Sequence, residues 1–268
     1  MSSKTEISKH SLAKPIRPPS VRQWLIILAV LGVLFYSSLG VELSITSFVL
    51  GIPHIFDFFS RLWPPDPSGL VELMFLALET VQMAIIGTLL GVLISFPVSL
   101  LAARNVNPSK TVYQVVRLFL NAMRSIPELV FALIFVAAVG LGPFAGMLGL
   151  AIGSIGTLGK LFSEAIESIP PQSSEGIRAV GGRGIQIFSF SILPQAMPLI
   201  TSYTLLIWES NVRAATILGL VGAGGIGFAL TNAIRLFRYQ ELVTILIVII
   251  IMVTIIDRFS GYLRQRLL

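Results

Sequence analysis

Long apolar stretches recur along the chain, and they constrain its fold more than any other feature. Most are close to the roughly 20 residues that an α-helix needs to cross the hydrocarbon core of a membrane. They lie at residues 24–43, 70–103, 126–141, 147–162, 193–208 and 242–256. Unsatisfied backbone groups are costly in lipid, and the stretches lack the alternation of barrel strands. The sequence therefore predicts an all-α polytopic membrane protein with six transmembrane helices.

Composition excludes several other classes of protein. Hydrophobic residues make up 54% of the chain and charged residues 12%, whereas an average soluble domain has about 25% charged residues, so a water-soluble fold is not expected. The absence of cysteine removes disulfide frameworks, thiolate catalysis and cysteine metal clusters. His10 and His54 fall on opposite sides of the predicted membrane, and no catalytic triad spacing is present. We predict no metal site and no enzyme activity in this chain.

Basic residues predict the orientation. With a cytoplasmic N-terminus, fifteen of the 19 Lys and Arg fall in inside segments, as membrane proteins generally show. The inside set is Lys4, Lys9, Lys14, Arg17, Arg22, Arg104, Lys110, Arg117, Arg124, Lys160, Arg178, Arg183, Arg258, Arg264 and Arg266. The outer set is Arg61, Arg213, Arg235 and Arg238. Both termini are therefore predicted to be cytoplasmic.

The chain divides into an N-terminal addition and one membrane domain. We expect a basic cytoplasmic tail at 1–22, a first transmembrane helix at 23–43 and an extracytoplasmic loop at 44–69, followed by a membrane domain at 70–266. Four prolines in the outer loop favour irregular structure with one short interfacial helix around 56–63. They are Pro53, Pro64, Pro65 and Pro67.

Two shorter elements are predicted inside the membrane domain. Apolar residues at helical intervals between Lys110 and Met123 predict an amphipathic helix along the inner membrane face. Pro127 then stands at the first turn of the next span, where its missing N–H costs little. A tight outer turn is predicted at Gly140-Leu141-Gly142-Pro143.

A polar segment at 170–194 separates two of the apolar stretches on the cytoplasmic side. Prolines end the preceding helix, a serine can cap a new one, and glycines stop it after about two turns. These residues are Pro170, Pro171, Ser173 or Ser174, Gly181 and Gly182. Glu175 falls in the first turn, beside the positive end of the helix dipole. A small helix held between two spans is suited to transmit motion from a soluble partner.

This segment resembles the EAA loop of type I ABC importer permeases. Glu175, Gly176 and Ile177 stand at the Glu-Ala-Ala position, Gly181 follows at the family's spacing, and Leu193-Pro194 closes the pattern. Gly176, Ile177 and Ser191 depart from the family's alanines and isoleucine. The resemblance implies the type I permease fold and a loop that docks on an ATPase, where Arg178 is a further candidate contact.

A second resemblance is narrower. The runs at 124–130 (RSIPELV) and 211–227 (NVRAATILGLVGAGGIG) look like those of phosphonate-transport permeases, and the likeness extends over about 70–266. It implies import of a phosphonate-like oxyanion (phosphonate, phosphite or phosphate) across the cytoplasmic membrane of a prokaryote. The implied partners are an ABC ATPase dimer that binds ATP and Mg, an extracytoplasmic binding protein and a second permease copy.

Charged residues at membrane depth are candidates for the translocation path. Glu209 and Arg213 stand four apart, as do Arg124 and Glu128, so each pair can meet on one helix face. Arg213 has two interpretations, a structural ion pair with Glu209 or a cation that helps an anion pass. Arg124 can also simply reach the inner interface. Asn211 belongs to the same candidate path.

A glycine-rich bend follows. Its glycines are Gly222, Gly224, Gly225 and Gly227, and they match a dinucleotide-binding spacing. No strand is predicted before it, so we interpret it as a bend that lets helices or two pore halves approach closely. No P-loop motif occurs, so ATP has to be bound by a partner.

Two functions of other classes compete with a permease subunit. One is an integral-membrane enzyme acting on lipid head groups, and the other is a stand-alone ion-coupled carrier or channel. Glu79 and Gln82 interrupt the second span, where they face either a pore or a neighbouring helix. A requirement for an added ATPase in uptake separates these functions.

Overall fold

The computed structural model describes residues 20–41 and 44–267, without the side chains of Ile45 and Ser47. All regular structure in this part of the chain is helical, as predicted. The predicted tail at 1–22 lies outside the described residues up to residue 19. The chain divides into two compact units, 1–58 and 59–268.

The first unit contains α1 (Val21–Gly40) and most of α2 (Ile45–Arg61). The predicted loop at 44–69 is wrong for most of its length, because α2 is a continuous helix with Pro53 inside it. Apolar residues four and three apart sustain its helical face despite the proline. They are Phe48, Ile52, Ile55 and Phe59. Only the later prolines, from Pro64 onward, lie in irregular structure.

The second unit begins with a loop whose Asp66 accepts a hydrogen bond from the Ser68 backbone N–H over 3.0 Å, which lowers the pKa of that carboxyl. The helices that follow are α3 (Leu70–Leu101), α4 (Lys110–Arg124), α5 (Glu128–Val139), α6 (Pro143–Glu167), α7 (Gln172–Ala179), α8 (Gly184–Ile187), α9 (Leu193–Leu218), α10 (Gly225–Arg235) and α11 (Tyr239–Leu267). A π-helical turn at Phe188–Ile192 joins α8 to α9, and a 3₁₀ turn at Gly219–Val221 follows α9.

Helix α6 is the centre of this unit, in contact with α3, α4, α5 and α9. Glycines at 146, 149, 153 and 156 repeat at helical spacing along one of its faces. A side chain at Gly149 would collide with Ala132 of α5, and one at Gly156 with the backbone of α4. The small residues therefore allow close helix packing, as is common in membranes.

The predicted third span, 126–141, is shorter than expected. Helix α5 has 12 residues, about 18 Å of rise, whereas the hydrocarbon core is about 30 Å thick. Pro127 lacks an N–H and disfavours helical backbone at Ile126, so α4 and α5 meet at a bend of 82°. Among the described residues, five helices are long and apolar enough to cross a membrane, and the bent pair makes a sixth only if it counts as one span.

The predicted fifth span, 193–208, extends further at both ends. A helical run begins at Gly184 and continues to Val221, so the polar segment is shorter than the predicted 170–194. The π-helical turn ends two residues before Pro194, whose ring would crowd a regular helical turn and which has no N–H to donate. The wider turn lets the helix pass the proline. Helix α10 is an element that the sequence does not predict, because it begins within the glycine-rich bend at Gly225.

Candidate functional site

Helix α7 is the short helix that the sequence predicted at Glu175. Its capping differs from the prediction, because Pro171 is the N-cap and both Ser173 and Ser174 lie inside the first turn. The C-terminal end follows the Schellman pattern. Gly181 has a φ of +84° and donates its N–H to Arg178 O over 3.0 Å, and the next N–H, of Gly182, is bonded to Ile177 O over 2.9 Å.

Hydrogen bonds fix the first turn of α7 to the start of α9. The Ser191 hydroxyl donates to Ser173 O over 2.7 Å, and the Ser173 hydroxyl donates to Gln195 Oε1 over 3.1 Å. Gln195 Nε2 in turn donates a hydrogen bond to Ser191 O over 2.9 Å. Ser191, which departs from the EAA pattern, therefore has a structural use here.

The exposed side of α7 is mainly polar. Glu175, Gly176 and Arg178 are exposed, and Ile177 is half-buried. At the closing end of the motif, Leu193 is half-buried and Pro194 is exposed. The motif thus combines an exposed carboxylate on a short helix with a hydrogen-bonded attachment to a long one.

Glu209 of α9 accepts hydrogen bonds from two arginines. Arg213 donates to its Oε1 over 3.1 Å, and Arg264 of α11 donates to its Oε2 over 2.8 Å. Arg213 also donates to Asp257 of α11 over 2.8 Å. The predicted pair is therefore part of a four-residue network without net charge that joins α9 to α11. Arg213 lies inside α9 and not in an outer segment, and its side chain is 44% exposed.

Asn211 lies in the helix packing and not on an open surface, since only 2% of it is exposed. Its Nδ2 donates to the Thr88 hydroxyl of α3 over 2.8 Å and to the Ser154 hydroxyl of α6 over 2.9 Å. Three helices therefore meet at one amide. This arrangement does not place Asn211 on a path in a single copy of the chain.

Arg124 and Glu128 do not share a helix face. Arg124 ends α4 and Glu128 begins α5, on either side of the 82° bend. Arg124 is exposed, whereas Glu128 is half-buried against Gly153 of α6. A spacing of four residues places two side chains on one face only within a continuous helix, and Pro127 separates these two helices.

The glycine-rich bend lets α10 fold back against its neighbours. Gly222, Gly224 and Gly225 have φ values of +82°, +80° and +68°, which side chains rarely adopt. Gly227 lies against the backbone of Thr216, where a side chain would collide. The carbonyl of Gly222 accepts the Gly142 N–H over 2.9 Å, so the bend is bonded to the predicted outer turn.

Residues 95–268 match the family described as binding-protein-dependent transport system inner membrane component. The chain belongs to this family. The permease is 43% identical over 223 residues to the phosphite transport system permease protein PtxC of Stutzerimonas stutzeri, covering 83% of this chain and 81% of that protein. It is also 43% identical over 210 residues to the phosphate-import permease protein PhnE of Mycolicibacterium smegmatis, covering 78% of this chain and 40% of that protein.

The fold of the permease is that of known ABC importers. It superimposes with a TM-score of 0.68 on a chain of the MetNI methionine ABC transporter in an inward-facing conformation, covering 76% of this chain and 99% of that one. Their sequences are 23% identical, so this likeness concerns the fold alone. The predicted type I permease fold is confirmed.

Family membership decides between the functions left open by the sequence. The permease is a multi-pass inner-membrane subunit of an ABC importer in a prokaryote, and it is not itself an enzyme. The lipid-head-group enzyme and the stand-alone carrier are set aside. The family implies an ATPase, a substrate-binding protein and a second permease as partners.

Proposed function

We propose that the permease imports a phosphorus oxyanion, namely phosphonate, phosphite or phosphate. The names of the two relatives, for phosphite and phosphate transport, support this substrate class, as does the resemblance of 124–130 and 211–227 to phosphonate-transport permeases. The three anions share a tetrahedral phosphorus centre with anionic oxygens. One path lined by hydrogen-bond donors can therefore pass all of them, and the binding protein selects among them.

The observation that carries ATP coupling is the attachment of α7 to α9. We place Glu175 in a groove of a separate ATPase dimer, where its carboxylate meets a basic group. ATP and Mg²⁺ are bound by that partner and not by this chain. When the ATPase subunits close, they displace α7. The hydrogen bond that Ser173 accepts from Ser191 and the one that it donates to Gln195 pass the displacement to α9. ATP binding supplies the difference in stability between the two transport states.

We further propose that Arg213 assists the anion on a path completed by a second copy of this chain. A guanidinium matches a tetrahedral oxyanion through two parallel hydrogen bonds. Asp257, 42% exposed, is the carboxylate that an incoming anion can displace from Arg213, whereas Glu209 is 12% exposed and also held by Arg264. The four-residue network equally supports a second role, in which Arg213 only joins α9 to α11.

Reconstituted transport tests the substrate class. The permease is placed in proteoliposomes with the ATPase and the binding protein of its transporter, and accumulation of labelled phosphite, methylphosphonate, phosphate and methionine is measured with and without ATP. We expect ATP-dependent accumulation of at least one phosphorus oxyanion and none of methionine. Uptake of methionine without uptake of any phosphorus oxyanion would contradict the proposal.

A further inference from the structure

A polar pocket lies where the loop after α3 meets the start of α4. Its volume is about 500 Å³, which is within the range of small-molecule sites. The polar side chains that line it are Arg104, Asn107, Ser109, Lys110, Tyr113 and Gln114. Under the predicted topology this pocket lies on the cytoplasmic side of the membrane.

The pocket carries positive charge that no carboxylate in the described part of the chain neutralises. Glu167 uses both of its oxygens, since one accepts the backbone N–H of Arg104 over 2.8 Å and the other accepts Arg117 over 2.7 Å. The Arg104 guanidinium instead stacks on the Tyr113 ring, 4.8 Å from its centre, which holds it at the pocket. Lys110, the first residue of α4, is exposed beside it.

Helix α4 also has an uncovered apolar side. Its exposed apolar residues are Val112, Val115, Leu118 and Phe119, and they lie along one strip of the helix. Leu120, on another side, is buried against α6. A helix with an apolar strip and a basic polar side is typical of the membrane interface, where acyl chains meet head groups. In this orientation the pocket would lie at the depth of lipid phosphates.

We infer that this pocket binds the phosphodiester of an anionic phospholipid from the cytoplasmic leaflet. Charge complementarity favours this occupant, because that leaflet is negatively charged and basic pockets at its surface attract anionic head groups. Arg104 supplies a fork of donors for two phosphate oxygens, and Lys110 supplies a point charge. The apolar strip of α4 faces the acyl chains of the same leaflet. This site is separate from the transported anion.

Titration of the purified permease tests the site. The midpoint of thermal unfolding is followed while short-chain phosphatidylglycerol, phosphatidylcholine or inorganic phosphate is added. We expect phosphatidylglycerol to raise the midpoint more than phosphatidylcholine does, and inorganic phosphate to have no effect. Since each basic residue near an anionic surface contributes about a fivefold change in affinity, Arg104→Gln with Lys110→Gln should weaken the apparent affinity for phosphatidylglycerol roughly 30-fold.

Matched variants separate lipid binding from general charge effects. Arg235→Gln with Arg238→Gln also removes two exposed cations, far from the pocket in sequence, and should leave the phosphatidylglycerol response unchanged. Lys110→Gln alone, at an exposed position, should weaken it about fivefold even if the double variant does not fold. An unchanged response in the Lys110 variant would overturn the proposal. Equal stabilisation by inorganic phosphate would also overturn it. So would a pocket variant that no longer binds the ATPase but keeps its full response to phosphatidylglycerol.

Discussion

Glu79 of α3 accepts a hydrogen bond over 3.0 Å from the backbone N–H of Gly225, the first residue of α10. A carboxylate from one helix thereby stands at the positive end of another helix dipole. The Thr80 hydroxyl accepts the next N–H, of Ile226, over 2.8 Å. The sequence allowed Glu79 to face either a pore or a neighbouring helix, and it contacts the neighbouring helix. Gln82 is exposed.

Replacing Glu79 should destabilise the junction of α3 and α10. Glu79→Gln keeps an acceptor but loses the charge, and should cost about 0.5–1 kcal/mol, whereas Glu79→Ala loses both and should cost about 1–2 kcal/mol. Thermal unfolding in detergent measures the stabilities of the two variants relative to the unchanged protein. Gln82→Ala, at an exposed position one turn later on α3, is the control and should be neutral. A Gln variant as unstable as the Ala variant would show that the charge adds nothing.

Glu175→Ala should uncouple ATP hydrolysis from uptake. A charge-assisted hydrogen bond to a partner is worth about 1.5–3 kcal/mol, so transport should fall roughly 10- to 100-fold. The fold should be unaffected, because Glu175 is exposed. Gln172→Ala, on the same helix and also exposed, should transport normally. ATP-driven uptake at the usual rate in the Glu175 variant would remove this carboxylate from the mechanism.

Gly181→Ala should loosen the C-terminal end of α7. No atom lies within 4 Å of an added Cβ, so conformation and not bulk is the obstacle, and the φ of +84° should cost a side chain about 1–2 kcal/mol. Exchange of the Gly182 amide, bonded to Ile177 O, should quicken roughly tenfold. Gly176→Ala adds a Cβ in equally open space within the helix, and should slow that exchange. Equal exchange in both variants would contradict the capping role.

Arg213 is best tested together with Asp257. Replacing Glu209 and Arg213 together would strand Arg264, whereas Arg213→Met with Asp257→Asn leaves Glu209 paired with Arg264. If Arg213 meets the anion, this double variant should assemble with the ATPase yet transport at least tenfold more slowly. Uptake and complex formation are both measured.

The matched variant for this test is Arg213→Met alone, which leaves Asp257 unpaired. If Arg213 only joins two helices, the double variant should recover the stability and the transport that the single variant loses. Full transport by the double variant would therefore end the substrate role.

Single cysteines should report the topology without background, because the chain has none of its own. Cysteines at Ser11 and Gln265 should resist an impermeant thiol reagent in intact cells and react after lysis. A cysteine at Ser68, in the predicted outer loop before α3, should react in both. Labelling of Ser11→Cys or Gln265→Cys from outside would overturn the orientation drawn from the basic residues.

Features set by local sequence were predictable. Helix α4, the helix carrying Glu175 and its glycine stop follow from periodicity and backbone preferences over 15 residues or fewer. The Glu209–Arg213 pair follows from helical spacing. In each case the residues that decide the structure are close together in the chain.

Features that need distant partners were not predictable. Asp257 and Arg264 join the network across 44 and 55 residues, and the capping of α10 by Glu79 spans 146 residues. Proline was a reliable guide at one position and not at another, since Pro127 stands at the start of α5 as predicted, whereas Pro53 lies within a helix. Whether the surroundings tolerate a missing N–H is a tertiary property that local spacing does not contain.

The amide of Asn211 divides α9 unequally. About 27 Å of helix separates Leu193 from Asn211, and about 10 Å separates Asn211 from Leu218. If the bonds to Thr88 and Ser154 persist during transport, Asn211 is a fulcrum for a rigid α9. A sideways push through α7 at the Leu193 end would then swing the Leu218 end the opposite way. The Leu218 end would move a little over a third as far as the Leu193 end, and Arg213 would hardly move at all.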